Sequence, residues 1–228
     1  MNISKLEWDS DFFGFNIGRL IISEEDALPK FNAENFANYD LVYVFAPHEL
    51  KIPDDELKLV DSKVVYRKTK MKPIAANPSI HLFVGKTPTR ELYELALQSG
   101  EFSRFKLDEK FPNGSFEKLY RRWIEQSVRK VMADDLLCYF QEDKIVGMAT
   151  VSTSNGVGHI GLVAVDSSCR NMGIGSELLA AVDSYFFEHK VFAVEVPTQL
   201  NNRNACLWYE KNGYEVHSIT DIYHWWLK

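Results

Sequence analysis

Apolar and polar residues alternate along the chain with periods that change from segment to segment, and these periods predict its secondary structure. Apolar residues recur at helical spacing in two long segments, residues 87–100 and 116–131. Short β-rich apolar runs predict strands at residues 17–22, 41–45, 63–67, 81–84, 136–141, 144–151, 158–165 and 192–197. Strands that alternate with helices in this way predict an α/β (α+β) protein.

A helix-breaking stretch divides this pattern near residue 75, where prolines, alanines and an asparagine replace the periodic residues. We expect residues 1–75, with three short strands and helical stretches, to form a smaller N-terminal α/β domain. Residues 76–228 contain the longer helices and the remaining strands, and we expect them to form the larger domain.

The segment Arg170-Asn171-Met172-Gly173-Ile174-Gly175-Ser176 joins the apolar run 158–165 to an amphipathic helix. A strand that leads into a glycine loop at a helix start presents backbone N–H groups and the positive end of the helix dipole to an anion. Gly173 and Gly175 lack a Cβ, so the backbone can approach a phosphate closely. No lysine follows, as a Walker loop requires, and a dinucleotide fingerprint needs a third glycine. The alternative is an ordinary strand–turn–helix unit whose glycines serve packing.

A second segment, residues 192–214, has the pattern of a strand, a loop and a short helix. Either Asn202 or Asn204 can cap the start of that helix, and Gly213 suits a left-handed helix end. Tyr209 lies in the last part of this helix.

Both segments resemble signatures of the GNAT family of N-acetyltransferases. Arg-x-x-Gly-x-Gly resembles its acyl-coenzyme A loop, and Asn-x-x-Ala-x-x-x-Tyr-Glu-x-x-Gly-Tyr resembles its second signature. The resemblance implies the GNAT fold over residues 76–228, with a central mixed, mostly antiparallel sheet flanked by helices. It also implies acetyl-coenzyme A as co-substrate, held by Val163, Ala164, Val165, Arg170, Asn171, Met172, Gly173, Ile174, Gly175, Ser176, Asn202 and Asn204.

Tyr209 matches the tyrosine to which the family assigns protonation of the leaving coenzyme A thiolate. A phenol has a pKa near 10 and a thiol near 8.5, so the proton transfer is uphill by about 2 kcal/mol, which a positioned phenol can complete late. The alternative is a core tyrosine whose hydroxyl is bonded to the backbone. The general base stays unassigned. His159 and Glu195 are the residues to test, although each is also explained as a structural polar group, and a water relay would serve an amine with a pKa of about 8.

The segments 6–14 and 103–108 resemble the TDP-fucosamine acetyltransferase group, which acetylates the 4-amino group of a TDP-linked 4-amino-4,6-dideoxyhexose for surface polysaccharide. The resemblance implies that residues 1–75 contribute to an acceptor site. Arg104 can meet a nucleotide phosphate, and Phe13 or Phe105 can stack on a sugar or base. These phenylalanines are equally explained as core residues, with Arg104 on a solvated face. Alternative acceptors are a protein N-terminus, a lysine, a polyamine or an antibiotic amine, and the alternative class is a non-catalytic module that binds an acyl-coenzyme A.

Composition narrows the possible partners. The formal net charge of −6 over 228 residues argues against nucleic acid. Three scattered cysteines have neither disulfide nor metal-ligand spacing, so we expect no metal. No apolar stretch is long enough to span a membrane, and residues 1–8 do not resemble a signal peptide, which favours a cytoplasmic protein. The apolar tail, residues 222–227, either completes the sheet or pairs across a homodimer, and the resemblance favours the homodimer.

Overall fold

The computed structural model describes residues 3–23, 36–50, 52, 57–73, 75 and 77–227. The strands of this part are β1 (Ser4–Lys5), β2 (Ile17–Ile21), β3 (Leu41–Pro47), β4 (Lys58–Lys68), β5 (Ile80–Leu82), β6 (Asp135–Gln141), β7 (Lys144–Ser154), β8 (Val157–Val165), β9 (Val194–Gln199) and β10 (Glu215–Trp226). The helices are α1 (Glu7–Phe13), α2 (Arg90–Ser99), α3 (Arg104–Leu107), α4 (Ser115–Val128), α5 (Ile174–Glu188) and α6 (Arg203–Lys211).

The chain divides into two compact units. The first comprises Met1–Val64, Gln199–Asn201 and Ser218–Lys228, and the second comprises Val65–Thr198 and Asn202–His217. The strands β4 and β10 therefore contribute residues to both units. The expected domain division between residues 75 and 76, with the first domain contributing to an acceptor site, stays a prediction.

In the first unit the strand order is β1-β2-β3-β10-β4. The strand β2 runs parallel to β3, and β10 runs antiparallel to β3 from Thr220 opposite Pro47 to Trp226 opposite Leu41. The fully buried Trp225 packs edge-on against Phe36, with ring centroids 4.8 Å apart. The apolar tail thus completes a sheet within its own chain, so the expected homodimer draws no support from it.

In the second unit the strand order is β4-β9-β8-β7-β6-β5. Neighbouring strands from β5 to β8 are antiparallel, and β8 is parallel to β9. Seven successive residues of β7, from Ile145 to Val151, are buried. Because successive side chains of a strand point to opposite faces, both faces of the sheet are covered here. The helices α2 and α5 pack against β7. The predicted mixed, mostly antiparallel sheet flanked by helices is confirmed.

Most predicted elements are present with shifted ends. The strand expected from residue 192 begins at Val194, and Phe192 before it is 77% exposed. The short helix α3 and the strand β1 escaped the sequence analysis. Of the helical stretches expected within residues 1–75, α1 is described, whereas residues 24–35 and 53–56 lie outside the described residues. In the described ranges, no helix has the length and apolar character that crossing a membrane requires.

Candidate active site

The parallel strands β8 and β9 separate soon after they meet. They pair only at Gly158 opposite Val194 and at His159 opposite Glu195, although β8 continues to Val165. Beyond this pair no ladder pairing joins residues 160–165 of β8 to residues 196–198 of β9, and we call the space between these two segments the gap. An extended chain can enter such a gap and bind the backbone edge as an added strand.

A β-bulge lies in β8 where the gap begins. Ala149 pairs with Val163 and Val151 pairs with Ile160, so two residues of β8 face the single residue Thr150 of β7. The Leu162 amide donates to the Thr150 hydroxyl oxygen at 2.7 Å instead of to the ladder. Bulges redirect strands and often lie beside active sites. The bulge of β8 begins directly after the last residue that pairs with β9.

The phosphate loop, residues 170–176, follows β8 and opens α5. Asn171 and Gly173 both have left-handed backbone conformations, with φ of 63° and 86°. The carbonyl of Gly173 accepts from the amides of Ser176 and Glu177, at 2.9 and 3.1 Å. Residues 170–173 are exposed and directly precede the first turn of α5, whose N–H groups have no carbonyl partner within the helix. This geometry suits an anion such as a pyrophosphate.

The sequence analysis explains Gly173 and Gly175 in the same way, by the close approach of a phosphate. The structure shows a different requirement for glycine at each position. A Cβ at Gly173 would meet only a Glu177 carboxylate oxygen, at 3.9 Å, so the left-handed conformation is what requires glycine there. A Cβ at Gly175 would lie 3.0 Å from the indole of Trp208. Gly173 therefore meets a conformational need, whereas Gly175 makes room for Trp208 because α5 and α6 approach closely. Contact of either glycine with a phosphate stays a prediction.

A glutamine that the sequence analysis missed holds the turn before the loop. Gln98, near the end of α2, donates to the Asp166 carboxylate at 3.2 Å and accepts from the Ser167 amide at 2.9 Å. Asp166 in turn accepts from the Ser168 amide at 2.9 Å, and the hydrogen bond from the Ser168 hydroxyl is the main cause of its lowered pKa. No sequence motif marks Gln98, because its role depends on the packing of α2.

The second signature forms α6 as predicted. Asn202 is the cap, since its side chain accepts from the Ala205 amide at 3.2 Å, and Asn204 is exposed in the first turn. At the other end, the Asn212 side chain donates to the Trp208 carbonyl at 2.7 Å and to the Ser176 hydroxyl at 3.3 Å. The end of α6 is thus tied to the phosphate loop.

Tyr209 is only 2% exposed, and its ring packs against those of Tyr66, Trp208 and Tyr214. Burial is the main cause that raises its pKa above the ordinary value. In the part of the chain that the structure describes, no hydrogen bond to its hydroxyl contributes to this shift, whose second cause is the nearby Cys206 thiol. The burial of Tyr209 fits the core interpretation, and its role as a proton donor stays a prediction.

A carboxylate cluster lies where β8 and β9 pair, formed by Arg67, Ser154, His159, Glu195 and His217. Arg67 donates through Nε, at 2.8 Å, and through Nη2 to the Oε1 atom of Glu195. The His159 Nδ1 atom is 3.9 Å from Oε2, and the His217 Nε2 atom is 3.7 Å from Oε1. Ser154 Oγ is 2.9 Å from the other ring nitrogen of His159.

The sequence analysis treated His159 and Glu195 as separate residues, and the register of β8 and β9 brings them together. Arg67 and His217 were missed, because only the strand order places β4 and β10 near β9. Tyr66 and Arg67 are successive residues of β4 and therefore point to opposite faces of the sheet. Since Tyr66 contacts Tyr209 and Arg67 contacts Glu195, Tyr209 and the carboxylate cluster lie on opposite faces.

The expected acceptor residues occupy two different settings. Phe105 is 7% exposed and packs edge-on against Phe111 and Trp123, as the core interpretation predicts. The Arg104 guanidinium lies 4.4 Å from the Phe105 ring centre. Phe13, in α1 of the first unit, is half-buried and packs edge-on against Phe12. Contact of Phe13, Arg104 and Phe105 with an acceptor stays a prediction.

Two further features concern potential metal ligands and the Cys138 thiol. Across the described residues, no group of three or more His, Cys, Asp or Glu side chains is placed to hold a metal ion. Burial raises the pKa of the Cys138 thiol to about 12, so it stays protonated.

The family model described as "Acetyltransferase (GNAT) family" matches residues 91–214. Among curated proteins, none matches the chain.

Several solved structures share the fold. A GCN5-related N-acetyltransferase from Sphaerobacter thermophilus is 20% identical, with a TM-score of 0.55, over 86% of this chain and 64% of its own. A putative acetyltransferase from the GNAT family from Novosphingobium aromaticivorans is 13% identical, with a TM-score of 0.55, over 81% of this chain and 73% of its own. A functionally unknown conserved protein from Staphylococcus epidermidis is 14% identical, with a TM-score of 0.59, over 92% and 83%. At these identities the likeness shows the fold alone.

Proposed function

The chain belongs to the acetyltransferase (GNAT) family, and we propose that it acetylates the amine of a TDP-linked 4-amino-4,6-dideoxyhexose, with acetyl-coenzyme A as donor. The observation that carries the acyl transfer is the gap between β8 and β9, with the phosphate loop at the end of β8. The gap suits an extended thioester arm, and the loop suits the pyrophosphate at the other end of that arm. We place the reaction in the cytoplasm, in the synthesis of a surface polysaccharide.

The residues of the loop and strand fit coenzyme A. The left-handed conformations of Asn171 and Gly173 turn backbone amides toward solvent, where a pyrophosphate can accept from them. Arg170 is exposed beside these amides and adds a positive charge. Residues 163–165 offer the backbone edge that an amide-containing arm can pair with, and Asn202 and Asn204 lie at the start of α6 as further contacts.

Tyr209 is the proposed proton donor to the leaving thiolate. Its raised pKa keeps the phenol protonated at physiological pH, so a donor is always present. The same shift makes full proton transfer more uphill than for an ordinary phenol. Tyr209 therefore stabilises the developing thiolate by a hydrogen bond first and transfers the proton late. The amine attacks the acetyl group directly, with no acyl-enzyme.

The acceptor assignment rests on the resemblance of segments 6–14 and 103–108 to the TDP-fucosamine acetyltransferase group. It is supported by the first compact unit, most of which lies outside residues 91–214. A large acceptor made of a nucleotide and a sugar explains an additional unit more readily than a small amine does. Arg104 would bind an acceptor phosphate, and a homodimer is proposed on the resemblance alone.

The test is release of free thiol from acetyl-coenzyme A in the presence of TDP- and UDP-linked amino sugars, free amines and a peptide with a free N-terminus. Turnover confined to nucleotide amino sugars, with a preference for the TDP-linked 4-amino sugar, is the expected result. Turnover only of a free amine or peptide would contradict the acceptor. Tight binding of acetyl-coenzyme A without thiol release by any amine would indicate the non-catalytic module instead.

A further inference from the structure

The two oxygens of the Glu195 carboxylate have different surroundings. Oε1 accepts both bonds from Arg67, whose two donor nitrogens fix the orientation of the carboxylate. Oε2 faces Nδ1 of His159 at 3.9 Å. This distance is too long for a hydrogen bond between the two atoms. The side chain of Glu195 is 17% exposed, so the space between Oε2 and Nδ1 lies at a partly covered surface.

The imidazole of His159 is held from its other side. Its Nε2 atom is 2.9 Å from the Ser154 hydroxyl oxygen, which is positioned to accept the Nε2 proton. In that tautomer Nδ1 carries a lone pair and points to Glu195. A single nitrogen atom can lie about 2.9 Å from both Oε2 and Nδ1, because two bonds of that length span 3.9 Å without strain.

We propose that Glu195 Oε2 and His159 Nδ1 form the site that binds the acceptor amine as an ammonium ion and removes its proton. The proposal rests on the acyl-transfer function proposed above and specifies where the amine enters. One N–H of the ammonium donates to Oε2, and a second transfers its proton to Nδ1. The neutral amine then forms the C–N bond as the C–S bond breaks. Tyr209 supplies the proton that the thiolate takes up. The proton on Nδ1 and the second proton lost from nitrogen pass to solvent, from which Tyr209 regains one, so one proton is released in each turnover.

The position of the pair agrees with this role. His159 opposite Glu195 is the last pairing before β8 and β9 separate, so the two side chains stand at one end of the gap. This is the closed end of the gap, away from the phosphate loop that follows the end of β8. The two side chains lie on the face of the sheet opposite Tyr209. An amine on one face and a proton donor on the other approach a thioester held in the gap from opposite sides.

The charges around the pair favour an ammonium ion over a neutral ligand. Arg67 on β4 bonds only Oε1, so Oε2 remains on the side that faces His159. His217 on β10 contacts the Oε1 side at 3.7 Å, away from the proposed amine position, and Ser154 on β7 contacts only Nε2.

The experiment compares kcat/KM for the acceptor between pH 6.5 and 9.5 in the wild type, in His159→Gln and in His81→Gln. His81 is an exposed histidine on β5 and serves as the control. We expect His159→Gln to lose about 10²-fold at pH 7, the usual scale for a general base. Near pH 9.5, where an amine with a pKa of about 8 is already neutral, the loss should shrink to about threefold or less. Acetyl-coenzyme A affinity should stay unchanged.

A second comparison tests binding alone. Glu195→Gln keeps the shape of the side chain and removes its charge, so the acceptor KM should rise about tenfold or more at pH 7. An analogue with a hydroxyl in place of the amine should bind both proteins equally. With an active wild type, the proposal would be overturned if His159→Gln lost the same factor in kcat/KM at every pH, or lost nothing at pH 7. A wild type that releases no thiol with any amine would instead overturn the proposed function and this inference together.

Discussion

The indole of Trp208 occupies the space that a side chain at Gly175 would need, with Cζ2 3.0 Å from the ideal Cβ position. This contact joins the first turn of α5 to α6, one residue before Tyr209. The glycine pair of the phosphate loop thus serves two purposes, one conformational and one of packing between helices.

Gly175→Ala and Gly173→Ala should therefore differ. The added methyl at Gly175 should push Trp208 aside and lower both the melting temperature and kcat, with an overpacking cost of about 1 kcal/mol. Gly173→Ala should cost about 1–2 kcal/mol through its left-handed conformation and mainly weaken acetyl-coenzyme A binding. Thermal unfolding, calorimetry and kcat measure the three quantities. Combining Gly175→Ala with Trp208→Phe should recover part of the lost melting temperature and kcat. If the effects of the two substitutions simply add, the contact between Gly175 and Trp208 is contradicted.

Tyr209→Phe should lower kcat about 10²-fold or more and leave the affinity for acetyl-coenzyme A unchanged. Because no hydrogen bond to the hydroxyl contributes to the pKa shift of Tyr209 among the described residues, the unfolding free energy should change by less than about 0.5 kcal/mol. Tyr66→Phe, which removes a hydroxyl bonded to Glu210 at 2.8 Å, provides a control for the cost of a bonded phenol. An unchanged kcat with a clear loss of stability would show that Tyr209 has a structural role and no catalytic one.

Lys68 and Asp183 form a buried ion pair, with side chains 16% and 8% exposed. Lys68 also donates to the Asn212 carbonyl at 2.8 Å, and Tyr214 donates to Asp183 at 3.3 Å. Lys68→Met leaves the carboxylate buried without its cation, and the unfolding free energy at pH 7 should fall by about 3–5 kcal/mol. The double variant Lys68→Met with Asp183→Leu should be clearly more stable than Lys68→Met alone. Denaturant unfolding measures both, and equal stability of the single and double variants would contradict a buried pair.

The stability of the Lys68→Met variant should depend on pH through the Asp183 carboxyl. Burial raises the pKa of Asp183, and Lys68 opposes that shift. Without Lys68 the pKa of Asp183 should rise further. The folded variant should therefore lose stability at pH values where the Asp183 carboxyl is ionised. Lys68→Met should therefore recover stability relative to the wild type as the pH falls toward 4, where Asp183 takes up a proton. A difference in stability that does not depend on pH would exclude this explanation.

Arg104→Ala should raise the acceptor KM about ten- to a hundredfold, the loss expected for a charge-assisted contact worth roughly 1.5–3 kcal/mol. Acetyl-coenzyme A affinity should stay the same. Arg90→Ala removes an exposed arginine of α2 that forms an ion pair with Glu94, and it should leave both constants unchanged. Equal acceptor constants in all three proteins would remove Arg104 from the acceptor site.

The local sequence pattern was sufficient to predict the strand, the phosphate loop and the helix that follow residue 158, because each depends on residues close in sequence. It was also sufficient for α6 and for the position of Tyr209 within it. Local pattern could not show that Arg67 and His217 join His159 and Glu195, since these residues meet only through the order of strands. It likewise could not separate the roles of Gly173 and Gly175, because Trp208 lies on another helix.

The position of β10 between β3 and β4 has a consequence for how the protein is made. Residues 218–226 emerge from the ribosome long after residues 41–47 and 58–64, the strands beside which they must insert. The first unit therefore cannot complete its sheet during most of synthesis, whereas α2 to α5 and strands β5 to β8 of the second unit can already assemble. We expect the nascent chain to gain structure in the middle first, with closure of the first unit as a late step slowed by its distant pairings.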